Sequence, residues 1–98
     1  MSISSMSLSE FVEASRDAGY HFFSDNVMSY FSSEIHGDIY MVGETGYFVT
    51  SEQDPNGIAW DGERRFTIRQ AISLTEVRTV GDFGQYSTEA EAWASVPD

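Results

Sequence analysis

Apolar residues near the start of the chain recur at helical spacing. Leu8, Phe11 and Val12 have i, i+3 and i+4 spacing, so they share one face of a helix. Ser7 and Glu10 have the S-x-x-E spacing of a capping box, in which each side chain binds the other residue's backbone N–H. The pattern predicts a helix over residues 7–18, followed by a glycine suited to ending it.

Two further segments have short helical patterns. In residues 25–33, Val27, Met28 and Phe31 share a face, and Ser24 or Asp25 is placed to act as the N-cap. Near the end of the sequence, residues 87–96 predict a third helix. Its apolar side is expected to consist of the small and aromatic residues Ala90, Trp93 and Ala94.

The middle of the chain has strand patterns. Residues 38–43 and 46–51 are rich in aromatic and β-branched types and flank a Gly-Glu-Thr-Gly turn, which predicts a hairpin. Residues 64–73 alternate between apolar and polar types, and residues 75–81 predict a weaker strand. The expected fold is therefore a single α+β domain over 1–98. It has an antiparallel sheet of three to four strands, two N-terminal helices and one C-terminal helix.

A polar connection, residues 52–63, separates the second and third predicted strands. It contains the turn sequence Asp-Pro-Asn-Gly at 54–57. Trp60 is the large apolar residue in this loop, and two interpretations remain open for it. It either folds back onto the sheet or serves as an exposed anchor for a partner.

Charge is the most unusual property of the composition. The 98 residues include sixteen acids and five bases, for a formal net charge of −11. Residues 1–63 hold eleven acids and one base, Arg16, whereas residues 64–98 hold five acids and four arginines. These four arginines are expected to pair with acids across the sheet rather than to bind nucleic acid. The hydrophobic content of 41% excludes a disordered acidic tail.

The motifs of common enzyme classes are absent from the sequence. It has no Cys, and its two histidines, His21 and His36, belong to no recognisable catalytic motif. His21 is expected to pack among aromatic residues, and His36 to be solvated in a turn. The acids of the 52–63 loop do not follow calcium-loop spacing. The sequence predicts a protein that is not an enzyme, with no cofactor and no metal site.

Acids on the first predicted helix form an outward row. Glu10, Glu13 and Asp17 fall on the side opposite Leu8 and Phe11, and helical rise separates them by about 4.5 and 6 Å. Such a row can present a phosphate-like field to a basic groove. The predicted partner-binding residues are the acids that would line this surface, together with Trp60: Glu10, Glu13, Asp17, Asp25, Glu34, Asp38, Glu44, Glu52, Asp54 and Trp60.

The acidity also has interpretations that involve no mimicry of nucleic acid. The row can be an ordinary solvated helix face, and the composition can reflect a salt-adapted organism. The protein can also be a general interaction module that uses the 52–63 loop, with its acidity serving solubility. General salt adaptation does not explain why residues 64–98 are nearly neutral.

A small, Cys-free, strongly acidic α+β protein of this kind resembles phage-encoded anti-CRISPR proteins that mimic DNA. In addition, GYFVTSEQDPNGIAWDGERRFTIR and GDFGQYSTEAEAWA resemble parts of small uncharacterised domains in viral genomes and their hosts. The first resemblance implies an inhibitor in the cytoplasm of a bacterial or archaeal host. Its partner would be a basic nucleic-acid-binding protein, such as the DNA-recognition subunit of a type I CRISPR effector. It implies no direct binding to nucleic acid or membrane.

Overall fold

The computed structural model describes residues 3–97, apart from the side chains of Ser24 and Asn26. Within them, three α-helices and four strands follow the predicted order: α1 (Leu8–Asp17), α2 (Asn26–Tyr30), β1 (Glu34–Val42), β2 (Thr45–Glu52), β3 (Arg65–Ser73), β4 (Glu76–Val80) and α3 (Glu89–Ala94). Short 3-10 turns occur at Ile3–Ser5 and Phe22–Ser24, and a further turn spans Ala59–Gly62, where Trp60 and Asp61 have positive φ values. The α+β prediction is confirmed, with its helices near both ends of the chain.

The four strands form one antiparallel sheet in the order β1-β2-β3-β4. The pairing of β2 with β3 is regular, with Val49 opposite Ile68 and Glu52 opposite Arg65. The register between β1 and β2 shifts between His36 and Tyr40, and that between β3 and β4 shifts between Ala71 and Ser73. The pairings at both edges of the sheet are therefore irregular, unlike the central one.

Each face of the sheet has its own apolar cluster. Phe48 of β2 packs with Leu8 and Phe11 of α1 on the face covered by the N-terminal helices. Val49 and Ile68 pack with Ala92 of α3 on the opposite face. Because successive side chains of a strand alternate between faces, one central hairpin supplies both clusters.

The capping box predicted for α1 is present. The Ser7 side chain accepts a hydrogen bond from the Glu10 N–H, and Glu10 accepts one from the Ser7 N–H. Gly19, just past the helix, has a φ of +87°, a conformation that glycine adopts without a steric penalty. Leu8, Phe11 and Ser15 are the buried residues of the helix.

The predicted apolar side of α3 is wrong. Ala92 is fully buried, whereas Ala90 and Ala94 are exposed. The helix has six residues, and it contacts the sheet through Ala92, Trp93 and the following Val96. A helix of fewer than two turns has too little hydrophobic periodicity to predict its buried side from sequence. The contact with the sheet determines which side of α3 is buried.

The outer edge of β4 is closed by a side chain. The Tyr20 hydroxyl accepts a hydrogen bond from the Val77 N–H at 3.1 Å and donates one to the Val77 carbonyl oxygen at 3.5 Å. It thus occupies the place of a strand partner. Among residues 3–97, no helix is long and apolar enough to cross a membrane.

Candidate partner-binding surface

The acidic row on α1 lies on the solvent side of the helix, as its spacing predicts. Glu10, Glu13 and Asp17 are all exposed, while Leu8 and Phe11 of the opposite side are buried. Glu10 also holds the capping box, so its carboxylate is fixed at the first turn. Glu13 and Asp17 make no hydrogen bond or ion pair with the described residues, which leaves their charges available.

These three carboxylates line an open groove of about 360 Å³. Its apolar lining comes from Met6 and Ala14, together with Leu74 of the turn between β3 and β4. Long basic side chains place their methylene stems on apolar surface while the charged group remains in water. A groove with an apolar floor and three carboxylates suits the side chain of a lysine or an arginine.

Two further predicted acids are exposed but have structural contacts. Asp25 caps α2, where its carboxylate accepts the Met28 N–H at 2.8 Å. Asp38 of β1 accepts the N–H of Leu8, the first residue of α1, at 2.5 Å. A carboxylate at a helix N-terminus is stabilised by the unpaired N–H groups and the helix dipole. These acids contribute negative charge, but they also hold the two helices in place.

Glu34 and Glu44 are exposed and lie near opposite ends of β1. Neither side chain makes a hydrogen bond or ion pair within the part of the chain that the structure describes. Together with Glu13 and Asp17, they are the predicted binding acids whose carboxylates have no structural partner there.

Glu52 does not belong to an exposed surface, and its predicted role there is corrected. Its side chain is 0% exposed and forms an ion pair with Arg69, which is itself 4% exposed, at 2.9 Å. Thr50 donates a hydrogen bond to one carboxylate oxygen and Thr67 to the other. The side chain points into the sheet face beneath the N-terminal helices, because it follows Phe48 and Thr50 along β2.

The Arg69 guanidinium lies between two aromatic rings. Its central carbon is 5.3 Å from the centre of the Phe22 ring and 5.5 Å from that of Phe83. The guanidinium also donates hydrogen bonds to the hydroxyl groups of Thr50 and Thr79, and its Nη2 lies 4.0 Å from the Met28 sulfur. Buried charges are tolerated when they are paired and hydrogen-bonded, and this ion pair meets both conditions.

The prediction that the four arginines of the second half pair with acids across the sheet is confirmed within the described residues for Arg69 only. Arg69 of β3 pairs with Glu52 of β2, whereas Arg78 pairs at 2.7 Å with Glu76 of its own strand, β4. Arg64 instead donates to the Ser51 hydroxyl and Arg65 to the carbonyl oxygens of residues 84 and 85. The Arg64 contact holds the end of the 52–63 loop against β2, and the Arg65 contacts hold residues 84 and 85 against β3.

Asp54 is also buried, at 6% exposure, which corrects its predicted place on the acidic surface. Its carboxylate accepts N–H bonds from Asn56, Ile58 and Ala59, and it accepts the Tyr30 hydroxyl. The backbone donors, with that of Ala59 foremost, lower the pKa of Asp54 below its usual value. Asp54 therefore organises the loop after β2.

Trp60 folds back onto the protein, which is one of the two predicted interpretations. Its ring centre lies 5.6 Å from that of Phe31 and 5.5 Å from that of Phe83, and the residue is half-buried. Gly84 lies against the ring, where a Cβ would clash with it. The exposed large apolar residue of this loop is Ile58, at 82% exposure.

The two histidines also depart from expectation. His21 is exposed rather than packed. His36 is half-buried in β1, with Nε2 2.6 Å from the Ser51 hydroxyl and Nδ1 3.5 Å from Glu89. This order of contacts resembles a catalytic triad, but Ser51 is fully buried. Substrate has no access to that hydroxyl, and the contacts join α3 to the sheet.

Among the described residues, no group of three or more His, Cys, Asp or Glu side chains is arranged to hold a metal ion. In the 52–63 loop, backbone donors already occupy the Asp54 carboxylate. The loop is shaped by its own hydrogen bonds.

The fold and surface define an acidic α+β protein with a row of exposed carboxylates along α1. The chain belongs to DUF7447, a family of unknown function, whose model matches residues 7–96. Comparison with curated proteins and with solved structures found no match.

Proposed function

We propose that this protein is an acidic inhibitory binding protein that occupies a basic, nucleic-acid-binding surface of another protein. The observation that carries the proposal is the row of Glu10, Glu13 and Asp17 on one capped helix, lining a groove with an apolar floor. The helix fixes the spacing of the charges before binding, which reduces the entropy lost on association.

The proposed partner is a DNA-binding component of a host defence system, such as the DNA-recognition subunit of a type I CRISPR effector. Inhibition would occur by competition, in a phage-infected bacterial or archaeal cell and without a cofactor. Complementary charge speeds encounter with a lysine- and arginine-lined site. The resemblance to DNA-mimicking anti-CRISPR proteins supports this choice of partner.

The test compares two triple variants that remove the same charge. One is Glu10→Gln, Glu13→Gln and Asp17→Asn, in which the new amide oxygen at position 10 retains the capping-box acceptor. The matched control is Asp61→Asn, Glu63→Gln and Asp82→Asn, at exposed positions distant from α1 in sequence. Association rates with a purified type I DNA-recognition complex are measured at low and high salt.

We expect the α1 variant to associate at least tenfold more slowly at low salt and the control less than threefold. High salt should remove most of the difference, because charges are screened beyond about 8 Å at physiological ionic strength. Equal rates for the two variants would mean that the α1 row is an ordinary solvated helix face.

One observation favours a second function, a general interaction module that uses the 52–63 loop. Ile58 in that loop is 82% exposed, the largest value among the exposed large apolar residues described. In that case, Ile58→Ala would weaken partner binding and the α1 variant would not.

A further inference from the structure

A second groove lies on the other flank of α1, beside the first residues of β1. It has a volume of about 490 Å³, and its apolar lining includes Val12, Phe23, Met28 and Ile35. Ile35 is 40% exposed, although it points to the face that α1 and α2 cover. The groove is separate from the one that Glu10, Glu13 and Asp17 line.

The strand edge beside this groove is open. At the opposite edge of the sheet, the Tyr20 hydroxyl closes the main chain of β4 at Val77. In the described residues, no backbone group outside the sheet bonds the main chain of Glu34, Ile35 or His36. Such an edge can pair with an extended segment of another chain.

A polar group without a hydrogen-bond partner lies in the wall of the same groove. The Ser33 hydroxyl is buried and has no hydrogen-bond partner among the described residues. A buried hydroxyl without a partner carries an uncompensated desolvation cost.

Charge identifies the kind of occupant. Residues 34–44 contain Glu34, Asp38 and Glu44, all exposed, and no Lys or Arg. A second copy of this chain carries the same net charge of −11 and would be repelled. Arg16 and Glu34 both line the groove. Its apolar floor favours an apolar side chain, and the exposed acids of residues 34–44 favour basic side chains on either side of it.

We propose that this edge and groove dock an extended segment of a partner protein in which apolar and basic residues alternate. Its main chain pairs with Glu34–His36, an apolar side chain enters the groove beside Ile35, and a basic side chain faces Glu34. This surface goes beyond the proposed function, because it lies apart from the α1 row and does not depend on mimicry of DNA.

The test uses a fluorescent seven-residue peptide of alternating arginine and valine, Arg-Val-Arg-Val-Arg-Val-Arg. In two derivatives, the backbone nitrogens of either the valines or the arginines are methylated. Because the N–H groups of alternate residues point to opposite edges of a strand, each derivative lacks the N–H donors of one edge. Binding is measured by anisotropy to wild type, Ile35→Lys and Ile58→Lys. The two variants change charge equally, but Ile58 lies in the 52–63 loop. Ile35→Thr keeps a β-branched side chain and replaces Ile35→Lys if that variant does not fold.

We expect Ile35→Lys to weaken binding at least tenfold and Ile58→Lys less than threefold. One N-methylated derivative should bind at least tenfold more weakly than the other, since a strand pairs through one edge. Hydrogen exchange should slow at Glu34–His36 when the unmodified peptide binds, which charge attraction alone does not cause.

Three results would overturn the proposal. Equal losses for Ile35→Lys and Ile58→Lys would show that overall charge governs binding. Equal binding of both N-methylated derivatives would exclude strand pairing. A wild-type dimer in sedimentation that Ile35→Lys converts to monomer would show that a second copy occupies the edge. The proposed function is tested on different residues, so either proposal can fail alone.

Discussion

Glu13 and Glu52 carry the same side chain in opposite surroundings. Glu13 stands exposed on α1 with no partner among the described residues, whereas Glu52 is fully enclosed by Arg69, Thr50 and Thr67. Removing the first charge should relieve repulsion among neighbouring acids, whereas removing the second leaves a buried arginine without its partner. A net charge of −11 therefore combines acids that stabilise the fold with acids that are available for binding.

The largest expected effect is on the buried ion pair. Glu52→Ala should lower the free energy of unfolding by about 3–5 kcal/mol, because it leaves the Arg69 guanidinium buried and unpaired. The double replacement Glu52→Leu with Arg69→Met should cost much less, since it removes both charges. Urea unfolding followed by circular dichroism measures both. A loss below about 1 kcal/mol for Glu52→Ala would mean that water reaches the pair.

A smaller loss is expected at the aromatic cluster of Phe31, Trp60 and Phe83. Trp60→Ala should lower the free energy of unfolding by about 2–3 kcal/mol, less than for a fully buried tryptophan because the ring is half-buried. Ile58→Ala, in the same loop but 82% exposed, is the matched control and should change stability little. If Trp60→Ala left the melting temperature unchanged, the ring would not be part of the core.

Asp54 should show its effect through pH. Its pKa is lowered in the folded protein by backbone N–H donors, so its contribution is complete above the unfolded value of about 3.9. That contribution is lost as pH falls through the lower folded value. In Asp54→Asn, the backbone amides of Asn56, Ile58 and Ala59 should be less protected from hydrogen exchange at neutral pH than in wild type. Their protection should also change less as the pH is lowered. Unchanged exchange at these amides would contradict the anchoring role.

The smallest effect on stability is expected for the α1 row. Glu10→Gln, Glu13→Gln and Asp17→Asn together should change the free energy of unfolding by no more than about 0.5 kcal/mol, with an increase at low salt. Thermal unfolding at two salt concentrations measures this. A loss of more than about 2 kcal/mol would place these acids with Glu52, among the residues that hold the fold.

The sequence predicted the order of the elements because most of them have a local signal, although β1 begins at Glu34 rather than at the predicted residue 38. The capping box of Ser7 and Glu10 defines where α1 begins, and the alternation in residues 64–73 defines β3. It also predicted correctly that Glu10, Glu13 and Asp17 face solvent, since a helix of ten residues has one clear buried side.

The sequence did not predict the burial of polar side chains that depends on long-range contacts. Thr50 and Glu52 in β2 and Thr67 and Arg69 in β3 have the same spacing, a signal that could have placed them on one sheet face. A polar side of a strand usually faces water, so the pattern favoured exposure. Burial followed from α2 and Phe83, which cover this face from distant parts of the chain and which no local pattern reveals.

The contact between Trp60 and Gly84 has a consequence for how the family varies. A Cβ at position 84 would overlap the indole, and Gly84 also has a φ of +68°, which disfavours any L side chain. Sequences that keep a tryptophan at 60 should therefore keep glycine at 84. The paired substitution Trp60→Leu with Gly84→Ala should accordingly be better tolerated than Gly84→Ala alone.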